Sequence, residues 1–316
     1  MFKIILRRLV ELAVSLFLIA SATFFLLAAV PGDALSAQTD RLPAATRRQV
    51  YANTGLDKPV LERYGLTMVK MLHGDFGTSI VDPSETISRV LAEKLPPSAR
   101  LGLQEMLIGI PLGLLLGVLA AVFKNTWIDR LITVAVLLLM SVPSLIIALL
   151  LQSYFGGRLG WFPIIGWPEG DQLWWGGWSF TVLPTIAGGL GYIAAYARLL
   201  KNSMLDVLSA DYVLTARAKG LSEPAIVLHH VIRNAAIPII TSLPVTVAFG
   251  ITGSVFVESI FVIPGVGQYF VQALTNRDVP IVMGETVLLA ALYIVTLFVT
   301  DLLYMAVDPR IKLYQD

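Results

Sequence analysis

Hydrophobic positions fall in long uninterrupted blocks, and charged positions are confined to the segments between them. Stretches free of Asp, Glu, Lys and Arg cover 12–32, 106–123, 131–157, 172–197, 234–257 and 286–300, and the last continues apolar to 307 beyond Asp301. An ionised side chain at bilayer depth costs about 2.5–3.5 kcal/mol, and a hydrocarbon core needs about 20 helical residues. With their flanks, the six blocks therefore predict six transmembrane helices. A seventh uncharged run, 259–276, holds Pro264, Gly265 and Gly267 in its middle, which predicts a turn or re-entrant segment instead of a crossing.

The cations orient this pattern. With the N-terminus inside, twelve Lys and Arg lie on the inner segments (Lys3, Arg7, Arg8, Lys124, Arg130, Arg198, Lys201, Arg217, Lys219, Arg233, Arg310 and Lys312) and two, Arg158 and Arg277, on the later outer loops. The positive-inside rule then predicts an N-in, C-in chain. Lys3, Arg7 and Arg8 ahead of an apolar stretch also resemble a signal peptide, but the stretch is longer than the usual 7–15 residues, and a retained span is expected.

Between the first two spans, residues 31–97 read as a small external helical insertion. Pro43 starts a helix that Gly55 ends. Pro59 starts a second with Val60, Leu61, Tyr64, Met68, Met71 and Leu72 on the face to be buried, and Ser84 caps a third bearing Ile87, Val90, Leu91 and Leu95. The insertion is expected to cap the spans or to dock an external partner. Five of the six tryptophans, Trp161, Trp167, Trp174, Trp175 and Trp178, cluster in one outer segment and read as interfacial anchors. On the inner side, 201–237 is far longer than a connector. Ser209 and Asp211 are placed to cap a helix that Gly220 stops, and Ser222, Glu223 and Pro224 start another, giving a helical hairpin.

Composition narrows the classes. Of 316 residues, 56% are hydrophobic and 14% charged, with a mean hydropathy of +0.75, too few polar groups to cover a water-soluble fold. A net charge of +1 argues against nucleic acid as a partner, and the absence of Cys removes disulfides, thiolate metal sites and Cys nucleophiles. No GxxxxGK[ST], HExxH or GxSxG motif occurs, so neither a nucleotide cradle nor the common hydrolase centres are present. His229 and His230 splay apart on a helix and His73 is remote, so no metal site is expected. No catalytic residue, cofactor site or metal site is assigned.

Ionisable groups in spans are functional candidates by default. Glu105, Glu258, Glu285 and Asp301 lie within about two turns of predicted span ends, where a charge can reach water or a partner subunit. Gly109, Gly113 and Gly117 form a stripe suited to helix packing. Ser242, Thr246, Gly250 and Gly253 form a second small-residue stripe, open to two readings: helix packing or a pathway lining.

Residues 211–238, DYVLTARAKGLSEPAIVLHHVIRNAAIP, resemble the coupling loop of ABC-importer permeases in its oligopeptide and dipeptide version. The general permease signature has Glu-Ala-Ala where this chain has Leu214, Thr215 and Ala216, so the peptide variant fits better. VPGDA at 30–34, GLDKPV at 55–60, GDFGTS at 74–79, LPPSARLG at 95–102, LGWFPIIG at 159–166, VESIFVIPGVGQ at 257–268, NRDVPIVMG at 276–284 and VDPRI at 307–311 resemble the B-type subunit of that branch.

The resemblance implies an all-α membrane protein with the type I ABC importer permease fold. Its first transmembrane helix would be 1–30, its external insertion 31–97, and its five-helix core 98–316 with the coupling loop 201–237. The implied function is a permease subunit of an ATP-driven peptide importer in a prokaryotic inner or plasma membrane. Implied partners are a second permease, two ABC ATPase subunits that bind the ATP and Mg, an extracytoplasmic substrate-binding protein, the peptide and the lipid bilayer. Thr215, Ala216, Arg217, Ala218, Lys219 and Gly220 would carry ATPase coupling, Ser242, Thr246, Gly250 and Gly253 would border the substrate path, and Glu258 would serve an external gate or pair with a partner. Relatives of the branch also carry nickel, glutathione or other small solutes. An ion-coupled secondary transporter, which needs a midplane acid and inverted halves, is the other class.

Overall fold

The computed structural model describes residues 2–30 and 43–307, and all secondary structure of any length there is helical. The α-helices of seven or more residues are α1 (Phe2–Ala29), α2 (Ala44–Thr54), α3 (Val60–Leu72), α4 (Ile87–Val122), α5 (Trp127–Ser141), α6 (Ser144–Leu151), α7 (Trp178–Leu208), α8 (Asp211–Ala218), α9 (Ile237–Ile251), α10 (Val255–Phe261), α11 (Val266–Thr275) and α12 (Val279–Val307), and the second arm of the hairpin is a run of short helical turns from Glu223 to Ala235. Among the described residues, five helical stretches are long and apolar enough to cross a membrane: α1, α4, α7, α9 with α10, and α12. The VPGDA and VDPRI motifs, the Asp301 side chain, and the N-terminal and C-terminal cations of the charge count lie largely or wholly outside the described residues and side chains.

The sixth candidate span departs from the sequence expectation. The run 131–157 is not one helix: it breaks at Val142–Pro143, and its two arms meet at 95°. Val142 is extended and Pro143 leads into α6, whose second arm continues as a π-helical segment, Gln152–Arg158. Proline restricts the residue before it to extended geometry, which ends α5, and its fixed φ suits it to start the next helix. The bend folds Ala148 of α6 against Leu183 and Ala187 of α7 and Val257 and Phe261 of α10.

A second difference lies at the start of the core. The third insertion helix and the second span are a single 36-residue helix, α4, that passes through Pro96, Pro97 and Pro111. Its N-cap is Thr86, while Ser84 instead donates its hydroxyl to Asp82 at 2.6 Å. Two adjacent prolines forfeit backbone hydrogen bonds, yet such residues persist in membrane helices when neighbours re-satisfy the freed groups. Here Pro97, Ser98, Arg100 and Leu101 are all buried. The domain boundary drawn at 97/98 therefore falls inside a helix.

Close backbone contact joins the long helices. The glycine stripe of α4 lies on α7: a Cβ at Gly109, Gly113 or Gly117 would stand 2.6–2.8 Å from the carbonyl oxygens of Gly189, Ile193 and Ala197. Gly102 is closer still to α9, where a Cβ would come within 1.8 Å of the Gly250 carbonyl oxygen. Lipid tails are as apolar as Leu, so association rests on such fitted packing. Lys201 of α7 also donates to Asp129 of α5 at 2.5 Å and to Thr133 at 2.7 Å.

The insertion differs from expectation on one face. α3 touches α1 through Tyr64, whose hydroxyl meets that of Ser21 at 2.8 Å and whose ring packs on Phe24 and Phe25. Leu61, Val69 and Leu72 of α3 remain exposed, Leu72 at 84%.

Gly113→Val would drive a branched side chain into the Ile193 carbonyl, and overpacking of this kind costs about 1–3 kcal/mol. A lower thermal midpoint in detergent is expected, whereas Gly191→Ala, with nothing within 4 Å of its Cβ, should leave it unchanged.

Candidate functional site

Two constructions carry the candidate residues, one at each end of the bundle. At the hairpin end, α8 is stopped by Gly220, whose φ of +81° is a left-handed conformation that few other residues adopt. The N–H groups of Gly220 and Leu221 close the turn on the carbonyls of Arg217 and Ala216. Arg217 reaches across the turn and donates to both Glu223 oxygens, from Nε at 2.7 Å and Nη2 at 3.2 Å. The guanidinium holds the Glu223 carboxyl below its ordinary value, so the pair is intact at neutral pH and is lost only as pH falls through that lowered value. The expected side-chain caps are not used: Ser209 donates to the Asp206 carbonyl, and Asp211 is the first residue of α8 instead of its cap.

Val213 and Ala216 point inward, where they join Ile226, Val231 and Ala235 against Leu200 and Met204 of α7 and Ala121 of α4. Thr215, Arg217, Ala218, Lys219 and Gly220 face outward together with Tyr212, Leu214 and Leu221. The hairpin is thus anchored on one face and presents an apolar and cationic ridge on the other. Of the six residues singled out in the sequence, Ala216 alone belongs to the anchor.

The second construction surrounds Glu258, on α10. Expected to reach a gate or a partner, this residue is 0% exposed, and its carboxylate is engaged inside the chain. Oε1 accepts the Ser98 hydroxyl of α4 at 2.6 Å, and Oε2 accepts the Gln268 N–H of α11 at 2.8 Å. Ser98 Oγ in turn accepts the Val266 N–H at 2.8 Å. The chain wraps the carboxylate so tightly that a Cβ at Gly253, itself at φ +90°, would lie 1.9 Å from Oε1, and one at Gly265 would lie 2.5 Å from the carboxyl carbon. One side chain therefore fastens the break after α9, the α10–α11 turn and the start of the α4 core segment.

Glu105 and Glu285 also differ from expectation. Both are buried, at 3% and 4% exposure, with Glu105 in the middle of α4 against Gly188. Glu105 Oε1 and both Glu285 oxygens have no hydrogen-bond partner among the described residues. The stripe Ser242, Thr246, Gly250 and Gly253 is turned inward too: Tyr196 donates to Thr246 at 2.8 Å, Ser242 donates to Tyr196 at 3.3 Å, Gly250 lies against Met106, and Gly253 against Glu258. Of its two readings, the geometry supports packing.

The sequence reading missed Arg100. At 2% exposure it donates to the carbonyls of Gln172, Leu173 and Gly176 at 2.6–2.9 Å and lies between the rings of Trp167 and Trp178. Trp167, expected as an interfacial anchor, is instead buried against this cation, whereas Trp178 stays exposed beside it. Asp278 was missed as well: it accepts the Ser79 hydroxyl at 2.5 Å and the N–H groups of Ile80 and Val81 at 3.2 and 3.3 Å, joining the insertion to the start of α12.

The chain matches two family descriptions: "Binding-protein-dependent transport system inner membrane component" over residues 110–313, and the N-terminal region of the same membrane components over residues 1–88. It is 38% identical to the dipeptide transport system permease protein DppB of Lactococcus lactis subsp. cremoris over 313 residues, 99% of this chain and 100% of that protein. It is 34% identical to the oligopeptide transport system permease protein OppB of Salmonella typhimurium over 312 residues, 99% of this chain and 100% of that one. Among solved structures, the methionine ABC transporter MetNI in inward-facing conformations is similar with a TM-score of 0.49 and 20% identity, covering 70% of this chain and 96% of that one.

Glu258→Ala would strip the acceptor from the Ser98 hydroxyl and the Gln268 N–H, and each stranded buried donor costs about 1–3 kcal/mol. Glu258→Gln keeps an acceptor for one of them. Thermal unfolding of the purified protein should show a larger drop for Ala than for Gln, and equal midpoints would show that the carboxylate does not fasten the turn.

Proposed function

Because the chain belongs to the family of binding-protein-dependent transport system inner membrane components, we propose that it is the B-type permease subunit of an ATP-driven importer of dipeptides or oligopeptides. The observation that carries this reading is the end-to-end similarity to curated dipeptide and oligopeptide permeases, at 33–38% identity. The chain works in the membrane with other ABC components and makes or breaks no covalent bond.

In this reading the chain crosses six times with both ends inside, the bent α5–α6 unit counting as one crossing. The insertion of 31–97 then faces outside and the 201–237 hairpin faces the cytoplasm. A second permease completes the pathway, two ATPase subunits bind ATP and Mg, and an extracytoplasmic binding protein delivers the peptide, with no cofactor held by this chain.

The geometry supplies a mechanical route. Thr215, Arg217, Ala218, Lys219 and Gly220, with Leu214 and Leu221 beside them, form the ridge that an ATPase groove would grip. Force applied there passes through Val213 and Ala216 to Leu200 and Met204 of α7. The glycine stripe transmits it from α7 to α4, and the Ser98–Glu258 bond carries it from α4 into the α10–α11 turn at the opposite end. Closure of the ATPases thereby rocks α4 and α7 as one body and shifts the turn. Glu258 acts on an outer gate by holding that turn in shape.

Since the Ser242–Gly253 stripe packs inward, the substrate path is assigned to the other face of the same span, where Val245, Phe249 and Phe256 are exposed.

Purification of the tagged chain from its own membranes in mild detergent, followed by mass identification, should recover a second permease and two ATPase subunits, with peptide on any retained binding protein. Transport driven by an ion gradient with the chain alone would overturn the assignment. Gly220→Pro replaces a φ of +81° by one near −65°. Membrane insertion should persist while peptide uptake falls at least about tenfold relative to ATP hydrolysis, a loss of about 1.4 kcal/mol in coupling. Unaltered uptake would refute the coupling role of the hairpin.

A further inference from the structure

A cavity of about 670 Å³ opens at the insertion end, between α1, α2, α3, the loop around 75–83 and the start of α12. Nothing in the transport route described above uses it. One face of α3 lines it with Arg63, Leu66, Thr67 and Lys70, at the i, i+3, i+4, i+7 spacing of a single helical face. Lys58 adds a third cation, paired with Glu62 at 2.9 Å. Asp75 is the one acid on the wall among the described residues, and its carboxylate accepts the Gly77 N–H at 2.8 Å. Arg63 and Lys70 have no ion-pair or side-chain hydrogen-bond partner among the described residues. The cavity is thus a cationic recess with an apolar floor that includes Phe24 and Leu66.

Its depth identifies the occupant. Its wall includes Val279, Pro280 and Met283, in the first turns of α12 where that span begins. The recess therefore opens at the end of a membrane span, at headgroup depth, and α3 is tied beside it to α1 by the Tyr64–Ser21 contact. Its Leu61, Val69 and Leu72 are exposed on one side while its cations face the recess on the other, the division of an interfacial helix. Below the recess, Leu18, Phe25 and Leu26 of α1 are exposed and offer a continuous apolar track.

We propose that this recess binds the headgroup of an anionic phospholipid of the adjoining leaflet. Arg63 and Lys70, two turns apart on long side chains, converge on its phosphate, and its acyl chains lie along α1. The inference goes beyond the transport reading and rests only on α1 and α12 being membrane spans.

Native mass spectrometry of the detergent-purified complex, loaded in turn with phosphatidylglycerol and phosphatidylcholine of identical chains, tests it. Phosphatidylglycerol should be retained at least about fivefold more strongly, the worth of one surface cation near lipid. The double variant Arg63→Gln/Lys70→Gln should bring the ratio close to one with the complex still assembled. Lys70→Gln alone, a change at an exposed position, should give an intermediate ratio. Equal retention of the two lipids, or a preference that survives the double variant, would overturn the proposal. So would displacement of the lipid by millimolar inorganic phosphate, which would make the recess a site for free anions. None of these outcomes bears on whether the complex moves peptide.

Discussion

A backbone that leaves helical geometry at membrane depth must have its N–H groups met by the protein itself, because lipid offers none. The region after α9 breaks this regularity twice, at 252–254 and at 262–265, and the Glu258 carboxylate with the Ser98 hydroxyl supplies the missing acceptors. The rest of the insertion end depends on that arrangement. It fixes where α4 enters the bundle, which sets the register of the glycine stripe on α7 and, through it, the seat of the hairpin at the far end.

The same economy explains why family motifs scattered along the chain matter together. LPPSARLG supplies Ser98 and Arg100, and VESIFVIPGVGQ supplies Glu258 and Gln268. GDFGTS supplies Ser79 for the Asp278 of NRDVPIVMG, while Gly166 at the end of LGWFPIIG donates its N–H to the Phe261 carbonyl at 3.0 Å. Segments up to 199 residues apart interlock within one end of the bundle. Each motif is half of a contact, so none of them discloses its chemistry when read alone.

Local and periodic features were legible in the sequence. The apolar blocks located the long apolar helices, Pro43 and Gly55 bounded α2, Gly220 marked the hairpin turn, and the spacing of Gly109, Gly113 and Gly117 marked a packing face. The misreadings share a cause: each took a polar or helix-breaking residue to be facing water or ending a helix. Glu105 ended the countable apolar run at 18 residues, where α4 has 36. Glu258 looked available to a partner because the hydroxyl and N–H groups that occupy it come from residues 98 and 268. The bend between α5 and α6 was written in Val142–Pro143, but a proline within an apolar run also fits a mild kink, and only packing against α7 and α10 decides between them.

The Ser98–Glu258 bond spans 160 residues of chain, and that separation has a meaning in time as well as in space. At about 5–20 residues per second, a ribosome takes roughly 10–30 s to produce Glu258 after Ser98 has been made. Within that interval the Arg100 guanidinium gains its carbonyl partners from 172–176, while the Ser98 hydroxyl still lacks Glu258. The contacts of this end therefore become possible in the order of synthesis: Arg100 on 172–176, then Ser98 on Glu258, and last the insertion's Ser79 on Asp278.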